Sequence, residues 1–159
     1  MCLELTKGKE KALVAKEDIK CYKVLEWNEA RQKWVSPMFK TDYEPNKPVS
    51  ADGKVEKWKY FNHYELLGGA LHTFARLEDA LNQVDFYDWF FIGYSISRGM
   101  PRRIIAECII PRGTKYYEGT FYSPVKEGGQ WTRAWVPSYA SKKLFVTDKV
   151  YEVKLEENN

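Results

Sequence analysis

"IIAECIIPRGTKYY", residues 104–117, reads as a buried strand that stops at a proline and glycine turn and leaves on two tyrosines. Strand side chains alternate between faces, which places Ile104, Ala106, Cys108 and Ile110 on one side and Ile105, Glu107 and Ile109 on the other. The first face is predicted to be core. The second leads out to Arg103, so Glu107 is expected to be half exposed and solvated, or paired with Arg102, Arg103 or Lys23. Pro111 and Gly113 end the strand, and "TKYYEGTFY" from Thr114 to Tyr122 offers the next.

Working outward, "IKCYKVLEW" (19–27) and "KWVSPMF" (33–39) flank a charged turn and suggest a hairpin. Residues 40–62 hold prolines, an Asp-Gly pair and many charges, and are read as a surface loop or insertion. "GGALHTF" (68–74) is a short strand entered through glycines. In "ARLEDALNQV" (75–84), Leu77, Ala80, Leu81 and Val84 occupy one helical face, with Thr73 or a neighbour as cap. The aromatic run 86–97 is assigned to a strand or loop, with a short helix over 85–92 as the alternative, and 97–101 to a turn. "SPVKEGGQ" (123–130) is a loop, "WTRAWVPSYASKK" (131–143) follows, and the next stretch gives two strand segments around Thr147-Asp148-Lys149. The expected fold is α+β: one domain over 1–155 and a frayed tail at 156–159. It has a bent, mainly antiparallel sheet of about seven to nine short strands and one or two helices.

The 159 residues suffice for one real core. A net charge of +3 without a basic run argues against a nucleic-acid polymer as partner. No window is apolar enough for a membrane span or signal peptide, so a cytoplasmic protein is expected. Cys2, Cys21 and Cys108 are widely spaced and odd in number, which favours free thiols. His63 and His72 lack metal-ligand spacing, so neither metal nor cofactor is expected. There is no nucleophile elbow and no phosphate-binding glycine loop; Gly68-Gly69 precedes a strand, the wrong way round for one.

What remains is an aromatic excess of 16% interleaved with cations. "PRGTKYYEG" and "WTRAWVPSYASKK" place Tyr or Trp close to Arg or Lys, with hydroxyls between them. Such a surface stacks a base while cations and hydroxyls hold phosphate. An edge strand guarded by lysines has much the same composition.

The succession "CYKVLEW", "GALHTFARLEDAL", "ECIIPRGTKYYEG", "SYASKKLFV" resembles a group of small bacteriophage and bacterial proteins, over about residues 1–147 apart from the loop. That resemblance implies a mobile-element origin. A weaker likeness is to the ADP-ribosyltransferase-type fold: Tyr22-Lys23 stand at its first strand, His72-Thr73 at the strand leading into a helix, and Ile110-Pro111-Arg112-Gly113 at its Pro-x-Gly strand end. "SYASKKLFV" lacks that family's catalytic glutamate, and Lys23 replaces its usual arginine.

Together these readings lead to a non-enzymatic protein that binds a small anionic, nucleotide-like ligand. One version is a phage sponge, acting in the host cytoplasm, that sequesters a cyclic-nucleotide or ADP-ribose-like defence signal. The candidate site is Tyr22, Lys23, His72, Thr73, Tyr116, Tyr117, Tyr139, Ser141 and Lys142. A homo-oligomer is the expected assembly. The alternatives are a nucleotide-processing enzyme using Glu107 or Glu152, and a protein-interaction module with an aromatic surface.

Overall fold

The computed structural model describes residues 3–37, 41–61, 63–95 and 102–152. Its strands are β1 Leu3–Leu5, β2 Leu13–Val14, β3 Ile19–Asn28, β4 Lys33–Val35, β5 Asp42–Tyr43, β6 Lys47–Ser50 and β7 Glu56–Tyr60. They continue with β8 His63–Gly68, β9 Leu71–Phe74, β10 Arg103–Ile110, β11 Lys115–Glu127, β12 Gln130–Ser141 and β13 Lys143–Glu152. One helix, α1, spans Leu77–Ser95.

All thirteen strands join one sheet, whose main path is β6-β13-β10-β3-β9-β12-β11-β1-β8-β7. The α+β expectation with seven to nine strands is therefore corrected to a mostly β fold. β1, β2 and β8 lie outside the expected strands, and two further misreadings add to the difference. Residues read as the 40–62 loop contribute β5, β6 and β7, because edge strands tolerate the proline and charges that argue for a loop. "SPVK" does not leave the sheet either: β11 runs on to Glu127 and turns at Gly128-Gly129 into β12, in register from Tyr116↔Ser141 to Glu127↔Gln130.

The helix is also longer than 75–84, continuing through the aromatic run to Ser95. Phe86, where that run begins, meets Trp131 of β12 edge on with centroids 5.5 Å apart, so a helix laid on the sheet can meet the demand that aromatic β preference reflects. Thr73 lies in β9 and is not its cap. The first turn instead carries Asp79, buried, with Arg76 donating to both its oxygens at 2.7 and 2.9 Å. An acid at this end meets the positive pole of the helix. The expected turn at 97–101 and tail at 156–159 fall outside the described residues, as does Cys2.

β10 is the axis of the molecule. It pairs with β3 along its whole length, Arg103↔Glu26 to Ile110↔Ile19, and with β13 on its other side. Ala106 opposes Val150 while Cys108 opposes Val146, so β13 bulges at Thr147-Asp148-Lys149, the point where the sequence suggested a break. The Thr147 hydroxyl donates to the Glu107 carbonyl at 3.0 Å and holds the bulge in place.

Both faces of β10 are covered. Val24, Phe74, Ile105, Phe121 and Val136 form a core under Ala80 and Val84 of α1. Cys21, Leu25, Leu71, Ala106, Cys108 and Ile110 form a second core with Tyr43 and Leu144. Glu107 is accordingly not solvated: it is 8% exposed, with Lys20 and Lys149 at 3.8 and 3.7 Å from Oε2. Among the described residues, no helix is long and apolar enough to cross a membrane.

Candidate functional site

In β3, Cys21, Lys23 and Leu25 share a face by alternation, and Cys21 and Leu25 are both buried. Lys23 thus projects a charge into an apolar layer. What accommodates it is a parting of the sheet. β3 and β9 register only at Tyr22↔Phe74, and beyond that pair the Lys23 ammonium, not a ladder bond, reaches across to the His72 carbonyl oxygen at 2.6 Å.

The parting opens into a cavity of about 440 Å³. Val24, Leu71, Phe74 and Phe121 supply apolar wall, Tyr22 and Tyr43 aromatic wall, and Gly68–Leu71 and Ser50–Asp52 border it. The volume lies in the usual range for small-ligand sites, about 300–1,000 Å³.

Its polar groups include the hydroxyls of Ser36, Thr41 and Ser50, with the Ser36 hydroxyl already accepting from the Thr41 backbone N–H. Lys23 lies deep, and burial pulls its pKa down to about 8. The ammonium also lies 5.7 Å from the centre of the Tyr43 ring. Among the described residues no carboxylate pairs with it. Arg103 also lines the cavity, but its guanidinium is held by Glu26 at 3.7 Å. Gln83 of α1 reaches the cavity while accepting from the Ser123 hydroxyl at 2.8 Å.

His72 is 8% exposed and stacks on Phe121, centroids 5.5 Å apart and planes 12° from parallel. Burial, and then the Lys23 charge, depress its pKa to about 3, so the ring is neutral at ordinary pH. Neither ring nitrogen has a hydrogen-bond partner. A buried imidazole with an unmet donor and an unmet acceptor, lining a cavity, is unusual enough to ask for an occupant.

Of the nine candidate residues, Tyr22, Lys23 and His72 line this cavity. Thr73 is buried beside the Cys21 thiol and does not line it. Tyr116 and Tyr139 pack edge to face, 6.0 Å apart, at the second core. Tyr117 belongs to the first core, its ring covered by the Lys57 ammonium at 4.7 Å. The Ser141 hydroxyl donates to the Lys143 carbonyl at 3.0 Å. Lys142 donates to the Gly53 and Gly69 carbonyls, both at 2.8 Å, and so ties down two segments at the cavity margin.

Sequence reasoning missed Tyr43, Phe121, Gln83 and Arg103. Tyr43 lay in the supposed loop, and the others sit on elements distant in sequence that only the sheet order brings together. Glu107 and Glu152, the acids considered for catalysis, do not line the cavity; Glu152 is exposed and paired with Arg102. Among the described residues no group of three or more His, Cys, Asp or Glu is placed to hold a metal. Compared with known proteins, the chain matches no family model, curated protein or solved structure.

Proposed function

We propose that this protein binds a small anionic ligand, without transforming it, in the cavity between β3 and β9. The observation that carries the reading is the Lys23 ammonium, set deep in an apolar cavity with no carboxylate to balance it among the described residues. A buried charge is costly unless paired, and an anion from outside supplies the missing partner. The neutral His72 ring adds one donor and one acceptor for the uncharged part of the ligand.

The phage-type sequence pattern gives this reading a setting: sequestration, in the host cytoplasm, of a nucleotide-derived defence signal. Sequestration needs affinity and enclosure rather than an acid–base pair, and neither Glu107 nor Glu152 lines the cavity. Homo-oligomerisation belongs to this reading, and Trp135 and Tyr122, each 54% exposed, offer an aromatic surface for a second copy away from the cavity lining.

The test is recovery of the ligand. Protein isolated from phage-infected cells is weighed by native mass spectrometry and then denatured, and the released small molecule is identified by chromatography. An intact anion, absent from a Lys23→Met variant prepared in parallel, supports binding without turnover. A converted product sinks it, and so does an anion that is retained equally by the variant.

A further inference from the structure

Resting on that reading, we infer that the cavity is built for an amphipathic monoanion: one carboxylate or phosphodiester at Lys23, attached to a flat apolar body lying between Phe121, Phe74 and Leu71. Polyphosphates and free phosphate are the wrong chemistry for it.

Charge capacity decides the first half. Among the described residues the lining holds two cations, and Arg103 is already engaged by Glu26. At the margin, exposed Asp52 adds a negative charge, while Lys142 is turned to the Gly53 and Gly69 carbonyls and does not line the cavity. One uncompensated cation remains for the ligand. A triphosphate or diphosphate would bring further charges into a largely apolar space and leave them unpaired there.

Backbone donors do not make up the deficit. Gly68-Gly69 at the margin looks like a phosphate-binding turn, but a Cβ on Gly69 would stand 2.2 Å from the Lys54 carbonyl oxygen. With φ at +72°, this glycine serves the close packing of residues 54 and 55, not a ligand. The N-terminus of α1, the other usual phosphate site, already carries Glu78 and the buried Asp79.

The walls decide the second half. His72 and Phe121 present a stacked pair, and Phe74 meets Phe121 edge on with centroids 5.6 Å apart. A planar ring system can extend this aromatic packing, and the unpartnered His72 nitrogens can meet a ring nitrogen, amino or hydroxyl group on it. The pKa of Lys23, about 8, adds that the anion should hold best below that pH, where the amine is charged.

Titration calorimetry of the intact protein at pH 7 separates the possibilities. The probes are 2-naphthoate and cyclic AMP as monoanions, 2-naphthamide and adenosine as their neutral counterparts, and ATP and inorganic phosphate as polyanions. The expected result is that naphthoate or cyclic AMP binds at least tenfold tighter than its neutral counterpart and tighter than both polyanions. Which of the two responds distinguishes a carboxylate from a phosphodiester. Tighter binding of ATP or phosphate overturns the monoanion inference but leaves a small-anion site at Lys23 standing. Equal binding of charged and neutral probes overturns both. If no probe binds, the monoanion inference falls, while the broader reading is still judged by what is recovered from cells.

Discussion

The Lys23 ammonium donates to the His72 carbonyl oxygen at 2.6 Å, across a seam where β3 and β9 share only the Tyr22↔Phe74 pair. A side chain stands where a ladder bond would otherwise close the sheet. This single substitution of a charged group for a backbone contact creates both the cavity and the unbalanced charge within it.

That charge should be visible in stability. Lys23 has a folded pKa of about 8 against an ordinary 10.5, so between those values the unfolded chain binds more protons than the folded one. Stability contributed through this group therefore rises as pH increases from about 8 to about 10.5, and is lowest when the amine is charged in both states. Lys23→Met removes the effect. At pH 7 the variant is expected to gain on the order of 1–2 kcal/mol over the wild type, less any cost of the unpaired His72 carbonyl. The difference should shrink by pH 9.5. Urea titrations at the two pH values check it, and a gap that does not change with pH contradicts the buried-amine account.

His72 has the opposite pH window. With a folded pKa of about 3 and an ordinary value of 6.5, it stays neutral in the folded protein while the unfolded chain takes up a proton. Stability through this group is intact above about pH 6.5 and lost progressively as pH falls towards 3. His72→Phe keeps the stack on Phe121 and removes two unpartnered nitrogens. Its stability should equal or exceed that of the wild type at pH 7, and fall less steeply in acid. Circular dichroism melts at pH 4 and 7 provide the comparison.

The sequence made β10 and β3 legible because their alternation is strong and their ends are marked by Pro111, Gly113 and the turn at 29–32. It did not make the third dimension of the sheet legible. β6 joins at β13, far along the chain, so nothing local to Lys47–Ser50 announces a strand. Similarly, Tyr116 and Tyr117 sit beside basic residues in the sequence, yet alternation sends the two rings into opposite cores. The local signal that did exist was Lys23 between Cys21 and Leu25, a cation on an otherwise apolar strand face. Its meaning depended on the distant partner at His72.

Gly119 marks the closest approach in the sheet. A Cβ there would stand 2.1 Å from the Glu4 carbonyl oxygen and 2.8 Å from Leu3 Cγ, so β1 cannot remain in place beside an alanine. Gly119→Ala is expected to cost about 3 kcal/mol, at the upper end for overpacked substitutions, because backbone rather than a flexible side chain must move. Equilibrium denaturation reads the loss, and hydrogen exchange should localise it to Leu3–Leu5 and its β8 partner.

Cys21 and Cys108 face each other across β3 and β10, both with no exposed surface. Burial pushes the Cys21 thiol up to about 12 and that of Cys108 up as well. Alkylation needs the thiolate, so iodoacetamide at pH 7.5 should label neither residue in the folded protein. Relative to an ordinary cysteine, the thiolate fraction of Cys21 alone is lower by about a thousandfold. Labelling then proceeds only through opening of the β3 and β10 pair, and its rate measures that opening. Because Lys23 lies between Cys21 and Leu25 on the same strand, an anion bound at Lys23 should slow labelling of both thiols by the factor 1 + [L]/Kd. Peptide mapping by mass spectrometry follows each site separately. Slowing at Cys21 and Cys108 by a monoanion, absent in Lys23→Met, would tie cavity occupancy to the stability of the central strands; fast labelling without ligand would mean that this part of the sheet opens on its own.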